Sequence, residues 1–118
     1  MSRDTAHAMS RAANATHAEV AAHADAIEAE MRRIGLWQDE PLEPGQYEFS
    51  AAFAMDTMAF SQWLQFIFLP RVRQIVAERG EFPSGSMVAA QAVREFDGVP
   101  EATDLCATLA AFDALFNA

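Results

Sequence analysis

Apolar residues recur at helical spacing along the chain, and the pattern is clearest between Thr16 and Gly35. Intervals of four and three residues place an apolar stripe on one face of a helix. The stripe consists of Val20, Ala24, Ile27, Met31 and Ile34. Thr16 followed by Glu19 fits a capping box, in which each residue satisfies a backbone N–H near the helix start. Gly35 is typical of the position just after a helix ends. The pattern therefore predicts a first helix between Thr16 and Gly35.

The most hydrophobic segment, "FAMDTMAFSQWLQFIFLPRVRQIVAERG" at residues 53–80, contains Pro70 near its middle. Asp56 and Ser61 are both residue types that begin helices, so the second helix is expected to start near one of them. The apolar stripe before the proline comprises Phe60, Trp63, Leu64, Ile67 and Phe68, and the stripe after it comprises Val72, Ile75 and Val76. On a straight helix the two stripes would differ by about 100°. Because proline lacks an N–H and crowds the carbonyl of residue 66, we expect the helix to bend or break at Pro70.

Two further helices are predicted in the last third of the chain. Ser86 fits the N-cap of a third helix that Gly98 ends, and Pro100 fits the first turn of a fourth. The inward positions of the third helix are expected to be Ala89, Val93 and Phe96, and those of the fourth Leu105, Leu109, Phe112 and Phe116. No segment alternates with a period of two, so the sequence predicts an all-α bundle of about four main helices.

The connection between the first two helices is long, from Gly35 to about Met55, and rich in aromatic residues. A connection of this length is uncommon unless it packs its own side chains or carries function. Its expected anchors are Trp37, Leu42, Tyr47, Phe49 and Phe53. We therefore expect it to be ordered, to hold a short helical turn, and to be the first place to look for a site. Residues 1–15 show no apolar period and are predicted to be a frayed or disordered tail, with residues 16–118 as a single domain.

Composition fits one water-exposed helical domain. The chain has 118 residues, of which 52% are apolar, which is enough for one core. Its longest run of strongly apolar residues, from Phe66 to Leu69, is far below the roughly 20 residues needed to cross a bilayer. The N-terminus lacks the hydrophobic region of a secretory signal, and Cys106 is the single cysteine. One cysteine excludes an internal disulfide and fits a reducing compartment, so a cytoplasmic location is expected.

The chain is strongly acidic, with seventeen acidic residues against eight basic ones and a net charge of −9. All eight basic residues are arginines. A field of this sign repels phosphate backbones, whereas non-specific nucleic-acid binding depends on positive charge. Direct binding to RNA or DNA is therefore disfavoured.

Candidate chemistry is sparse. His7, His17 and His23 lack the spacing of three or four residues that would place two imidazoles on one helix face, so no metal site is predicted. No phosphate-binding loop, nucleophile elbow or cofactor motif occurs. The serines that open predicted helices lack the preceding acidic residue of a carrier-protein attachment site. We therefore predict neither a cofactor nor an enzymatic activity.

A few residues nevertheless have two possible readings. Asp56 is either an acid–base or anchoring group, or a helix cap. Arg71 and Arg73 either receive a carboxylate or phosphate from a partner or pair with the chain's own acids. Trp37 and Trp63 either form a stacking surface or pack in the core.

The motifs "LWQDEP" (36–41), "FAMDTMAFSQWLQFIFLPRV" (53–72) and "FDALF" (112–116) resemble the YqcC-like family of small bacterial all-helical proteins, over about residues 20–117. The family pattern falls on Trp37, Pro41, Phe53, Asp56, Thr57, Met58, Trp63, Leu64, Gln65, Pro70 and Arg71. Ala52, Gln62, Phe66 and Ala90 depart from it. Members are often encoded beside a tRNA pseudouridine synthase, so the resemblance implies a partnership with that enzyme. An acidic chain would contact the basic synthase rather than the RNA.

The leading hypothesis is a non-enzymatic protein-interaction module that contacts its partner through region 36–65 and the edge formed by Arg71 and Arg73. The alternative is a small-molecule binder or an undiscovered enzyme, with Asp56, Gln65 and Arg71 lining a pocket between helices. The candidate binding residues are Trp37, Tyr47, Asp56, Trp63, Gln65, Arg71 and Arg73. The sequence leaves the choice between monomer and homodimer open.

Overall fold

The computed structural model describes residues 16–117, and within that range it contains helices and turns but no β-strand. The helices are α1 (His17–Arg33), α2 (Phe60–Trp63), α3 (Leu69–Glu78), α4 (Val88–Glu95) and α5 (Thr103–Ala114). A π-helical segment (Leu64–Phe68) joins α2 to α3, and short 3-10 turns lie at Pro44–Tyr47, Ala52–Ala54 and Pro100–Ala102. The all-α bundle predicted from the sequence is confirmed. The predicted tail at residues 1–15 lies outside the described residues.

Helix α1 begins and ends as the sequence predicts. The Thr16 hydroxyl accepts a hydrogen bond from the Glu19 N–H at 3.1 Å, and the Glu19 carboxylate accepts one from the Thr16 N–H at 3.3 Å. Gly35 follows the helix with φ +79°, a left-handed conformation that glycine adopts without steric cost. The predicted stripe faces the core, since Val20, Ala24, Ile27 and Met31 have no exposed surface. This helix packs against α3 and α5.

The central helix, defined here as residues 60–78, starts later than Asp56 and earlier than Ser61. Ala59 stands at its N-cap, and the Gln62 side-chain oxygen accepts the Ala59 N–H at 2.9 Å. The helix therefore starts near Ser61, as predicted, but neither Asp56 nor Ser61 is its N-cap. The physical reason at Asp56 is that its carboxylate accepts backbone N–H groups of the preceding connection instead.

The central helix is not broken at Pro70. Leu64, Phe68 and Leu69 all have right-handed helical dihedral angles, and the irregularity is the π-helical segment just before the proline. There the Leu69 N–H donates to the Leu64 carbonyl, five residues back. The wider turn takes up one additional residue, so that Phe60, Leu64, Leu69 and Val72 are all buried in the same core.

The change of phase predicted from the apolar stripes therefore occurs at residues 64–68, and the predicted break is corrected. Pro70 lies directly after the π-helical segment, where the hydrogen bonds already depart from the α-helical pattern. The π-helical segment thus produces the change of phase that was predicted to come from a bend at Pro70.

Helix α4 packs against α5 and differs in phase from the prediction. Its buried residues are Val88 and Ala92, whereas Val93, predicted to face inward, is 60% exposed. Ser86 is not its N-cap either, because Met87 occupies that position and Ser86 instead donates its hydroxyl to Asp113. The helix begins at Val88, and Ala89 and Phe96, which were also predicted to face inward, are partly buried against the core. Gly98, with φ +79°, follows its end as predicted.

Leu105, Leu109 and Phe112 of helix α5, and Phe116 just after its end, are buried as the apolar spacing predicts. Pro100 begins the 3-10 turn that leads into it. Across residues 16–117, no helix combines the length and the apolar character that a membrane crossing requires.

Candidate functional site

The long connection is ordered because glutamine side chains fasten it to the central helix. Gln65, only 7% exposed, accepts the Gln38 N–H at 3.0 Å and donates to the Gln38 carbonyl at 2.8 Å. Gln62 adds a hydrogen bond to the Gln38 side chain at 3.1 Å. The amide of Gln65 therefore satisfies the backbone of the connection on both sides and does not face a ligand.

Asp56 organises the same connection from its surface. Its carboxylate accepts the N–H of Ser50 at 2.9 Å and that of Ala51 at 3.3 Å. These backbone donors, that of Ser50 first, lower the pKa of the Asp56 carboxyl below its ordinary value. The neighbouring Thr57 hydroxyl donates to the Gln46 carbonyl at 2.6 Å. Asp56 thus caps backbone N–H groups of a loop. The structural alternative predicted from the sequence was that it caps the N-terminus of a helix.

The two aromatic candidates of the connection behave differently. Tyr47 lies on the first 3-10 turn and is 50% exposed, so the prediction that it anchors the connection is wrong. Its turn faces solvent, while Leu42 packs with Ala54 and Met58 in a small second core. Trp37 is half-buried against the main core, and the Arg32 guanidinium lies 4.7 Å from the centre of its ring. That distance is typical of a cation–π contact.

Arg71 and Arg73 do not form one basic edge. They are two residues apart on a helix, which separates their directions by about 200°. Arg73 pairs with Asp25 at 3.0 Å and with Glu28 at 2.8 Å. Arg32 and Arg73 together hold the pKa of the Glu28 carboxyl below its ordinary value, Arg32 contributing most. Arg73 therefore ties α3 to α1, and Arg71 points elsewhere.

A cavity of about 270 Å³ lies between the connection, the central helix, the loop at residues 82–88 and α5. Its lining residues are Phe53, Trp63, Phe68, Arg71, Val72, Ile75, Phe82, Pro83, Gly85, Ser86, Met87, Val88, Phe112 and Phe116. The structure thus brings together two of the residues proposed from the sequence, Trp63 and Arg71. Asp56 and Gln65 do not line it, so the pocket predicted from Asp56, Gln65 and Arg71 does not form. Arg71 is the one charged residue among the lining residues.

Aromatic rings form the wall of the cavity on the side of the connection. The Trp63 ring centre lies 4.9 Å from that of Phe53 and 5.3 Å from that of Phe68. On the opposite side, Phe68 contacts Phe112 edge to face at 5.2 Å. Such pairs contribute beyond their buried area, so these rings hold the wall in place.

Two irregular stretches of backbone supply this wall. Phe53 and Ala54 both have positive φ, 56° and 53°, in a left-handed conformation that costs roughly 1–2 kcal/mol per residue that is not glycine. The π-helical segment supplies Phe68. Backbone strain and π-helical turns are both concentrated at functional sites. No sequence signal marks Phe53 as left-handed, so its place in the wall of the cavity was not predicted.

The sequence also missed Met87, which lines the cavity and is 70% exposed at its mouth. Met87 directly follows "FPSGS" (82–86), a segment whose proline and glycine are typical of a turn and do not mark a site. Phe112 and Phe116 were predicted as core residues and are buried, but each also lines the cavity.

The histidines within residues 16–117 are bonded to backbone. His17 Nε2 lies 2.8 Å from the Gly80 carbonyl oxygen, and His23 Nδ1 lies 2.8 Å from the Glu19 carbonyl oxygen. In this part of the chain no three histidine, cysteine, aspartate or glutamate side chains converge as metal ligands would. His7 lies outside the described residues.

Comparison with known proteins assigns the fold to a class of small helical bacterial proteins. Residues 19–115 match the family described as tRNA pseudouridine synthase C. A solution NMR structure of the protein YqcC from E. coli superimposes with a TM-score of 0.76 at 29% identity, covering 85% of this chain and 86% of that one. The chain therefore belongs to the YqcC-like family.

Curated relatives fit the same family. An uncharacterized protein of Haemophilus influenzae is 26% identical over 98 residues, which cover 80% of this chain and 90% of the relative. Uncharacterized protein YqcC of Escherichia coli is 31% identical over 74 residues, or 63% of this chain and 68% of the relative. A protein of Pectobacterium carotovorum named tRNA pseudouridine synthase C is 36% identical over 50 residues, which are 42% of this chain but 13% of that protein.

Proposed function

We propose that the chain is a non-enzymatic interaction module that binds a tRNA pseudouridine synthase. The observation that carries the proposal is the similarity to a segment of a protein that bears that name. The similar segment is 13% of that protein, so most of the synthase lies outside it. A segment that is joined to an enzyme in one organism and separate in another is well suited to binding that enzyme where the two are separate.

The acidic connection is the surface that fits such a partner. Residues 34–70 contain five acidic residues and no basic one. All five are exposed: Asp39, Glu40, Glu43, Glu48 and Asp56. Tyr47 lies exposed among them. An enzyme that acts on RNA carries a positive surface, and an acidic patch complements it.

The hydrogen bonds of Gln65, Asp56 and Thr57 favour the same interpretation. They hold the connection in one conformation before any partner arrives. Binding through a pre-ordered loop avoids the entropic cost of ordering it on contact. They also occupy the polar groups that acid–base chemistry would use, which supports a role in binding rather than catalysis.

Binding to the synthase of the same organism tests the proposal. Isothermal titration of the full chain into the purified synthase is expected to give a complex that weakens as salt concentration rises. Reversal of three acids on the connection, Glu40→Lys, Glu43→Lys and Glu48→Lys, is expected to weaken binding at least tenfold.

A matched control changes the net charge equally but leaves the connection intact. Glu81→Lys, Asp97→Lys and Glu101→Lys together alter three exposed acids elsewhere on the surface. This variant is expected to bind nearly as well as the original chain. Absence of a complex at micromolar concentrations would refute the partnership, and equal loss in both variants would refute the assignment of the surface.

A further inference from the structure

Arg71 is placed unlike the arginines that hold the bundle together. Arg32, Arg33 and Arg73 all form ion pairs with acids of the chain. Within residues 16–117, Arg71 has neither an ion pair nor a hydrogen bond, although acids outnumber basic residues about two to one. It lies instead at the apolar cavity. A guanidinium left unpaired in so acidic a chain is free to receive an anion from outside.

The cavity itself favours an apolar occupant. The cavity opens to solvent at Met87, but its hydrocarbon walls offer water few hydrogen-bond partners. An engineered, enclosed apolar cavity of about 150 Å³ binds benzene. The present cavity is larger, at about 270 Å³. Its one lining hydroxyl, that of Ser86, is already donated to Asp113. An apolar chain or ring therefore fits the interior better than a sugar or nucleotide does.

The charge at the cavity specifies the head group of the ligand. No acidic residue is among the lining residues, and the nearby Asp113 carboxylate is held by the Ser86 hydroxyl and by the N–H groups of Val88 and Ala89. One guanidinium matches one carboxylate, with which it can make two parallel hydrogen bonds. A phosphate monoester carries nearly two charges and is better matched by a cluster of cations, which this lining lacks.

We propose that the cavity binds a monocarboxylic acid with an apolar chain, with the carboxylate on Arg71 and the chain against the rings of Trp63, Phe68 and Phe112. The strained backbone of Phe53 and the π-helical segment keep the aromatic wall open for it. This binding site is independent of the partnership with a synthase, since none of the acids proposed to contact the synthase lines the cavity. Either proposal can fail without the other.

Decanoate is a suitable probe, with decanol as its neutral counterpart of the same chain length. The two tryptophans give an internal control in ¹H–¹⁵N NMR spectra of the full chain, because Trp63 lines the cavity and Trp37 does not. Decanoate is expected to shift the Trp63 indole resonance in a saturable manner and to leave that of Trp37 in place. Decanol is expected to bind at least tenfold more weakly.

Arg71→Gln removes the charge and keeps much of the side-chain length. Loss of a hydrogen-bonded ion pair is worth about 1.5–3 kcal/mol, so decanoate affinity is expected to fall by roughly ten- to a hundredfold. Arg94→Gln, an exposed arginine outside the cavity, is expected to change nothing.

The proposal is overturned by any of three results. The first is that decanoate leaves the Trp63 resonance unmoved up to millimolar concentration. The second is that decanol binds as tightly as decanoate, and the third is that Arg71→Gln binds decanoate as well as the original chain does. Arg71 is exposed and unpaired, so its replacement leaves the fold intact and the comparison valid.

Discussion

The buried carboxylate of Asp113 caps the N-terminus of a helix to which it does not belong. It lies on α5, is 7% exposed, and accepts the Val88 N–H at 3.2 Å and the Ala89 N–H at 2.8 Å. The Ser86 hydroxyl donates to the same carboxylate. Met87, which holds the N-cap position of α4, has no side-chain oxygen to do this. Asp113 therefore takes the part that a serine or aspartate at the N-cap would play.

The structure sets the magnitude expected for Asp113→Ala. Loss of an N-cap side chain costs about 1 kcal/mol. The Val88 N–H is buried, and leaving such a donor without a partner costs a further 1–3 kcal/mol or so. The free energy of unfolding is therefore expected to fall by about 2–4 kcal/mol. Asp113→Asn keeps one acceptor oxygen and is expected to lose roughly half as much.

Urea unfolding followed by far-ultraviolet circular dichroism measures these losses. Amide hydrogen exchange at Val88 and Ala89 adds a local readout and is expected to accelerate in both variants. Asp97→Ala, at an exposed position whose side chain makes no hydrogen bond or ion pair within residues 16–117, serves as the control and is expected to cost under about 0.5 kcal/mol. If Asp113→Ala costs no more than this control, the carboxylate does not cap α4 and the reasoning is wrong.

Three further variants test other contacts. Gln65→Ala frees the connection at Gln38, and hydrogen exchange of the Gln38 amide is expected to accelerate at least tenfold; protection retained there would contradict the role of Gln65. Arg79 ends α3 with φ 52°, so Arg79→Gly is expected to be about 1 kcal/mol more stable in urea than Arg79→Ala, and equal stabilities would argue against strain there. Because folding lowers the Asp56 pKa, that carboxylate stabilises the fold above its unfolded pKa of about 3.9, and this contribution disappears as pH falls further. Asp56→Asn should therefore show a shallower acid transition below pH 4 or so, and an unchanged transition would exclude the effect.

Local signals in the sequence were reliable where a helix depends on its own residues. The capping box at Thr16, the glycine at position 35 and the stripe of α1 all involve neighbours in the chain, so the pattern alone predicts them. The start of α4 could not be predicted in this way. Its capping carboxylate, Asp113, lies 25 residues from Val88, and a bond between such distant residues leaves no periodic trace.

The candidate site was predicted only in part for a related reason. Trp63 and Arg71 are close in sequence to Pro70, and both line the cavity. Its remaining wall comes from the left-handed Phe53, the loop at residues 82–88 and the end of α5. Only the folded packing brings these three segments together. Gln65 and Asp56 were singled out as ligand-binding candidates because they are polar, but their polarity satisfies backbone groups.

The π-helical turn at residues 64–68 also affects how relatives should be aligned. Length differences between homologous proteins ordinarily fall in loops, and a gap inside a helix is usually taken as an error. Here the turn holds one residue beyond what an α-helical turn uses, so a homologue could lose one residue there and keep an unbroken helix. In such a homologue the apolar residues before and after the proline would have to lie on one helix face. They would lack the offset of about 100° between the two apolar stripes of this sequence.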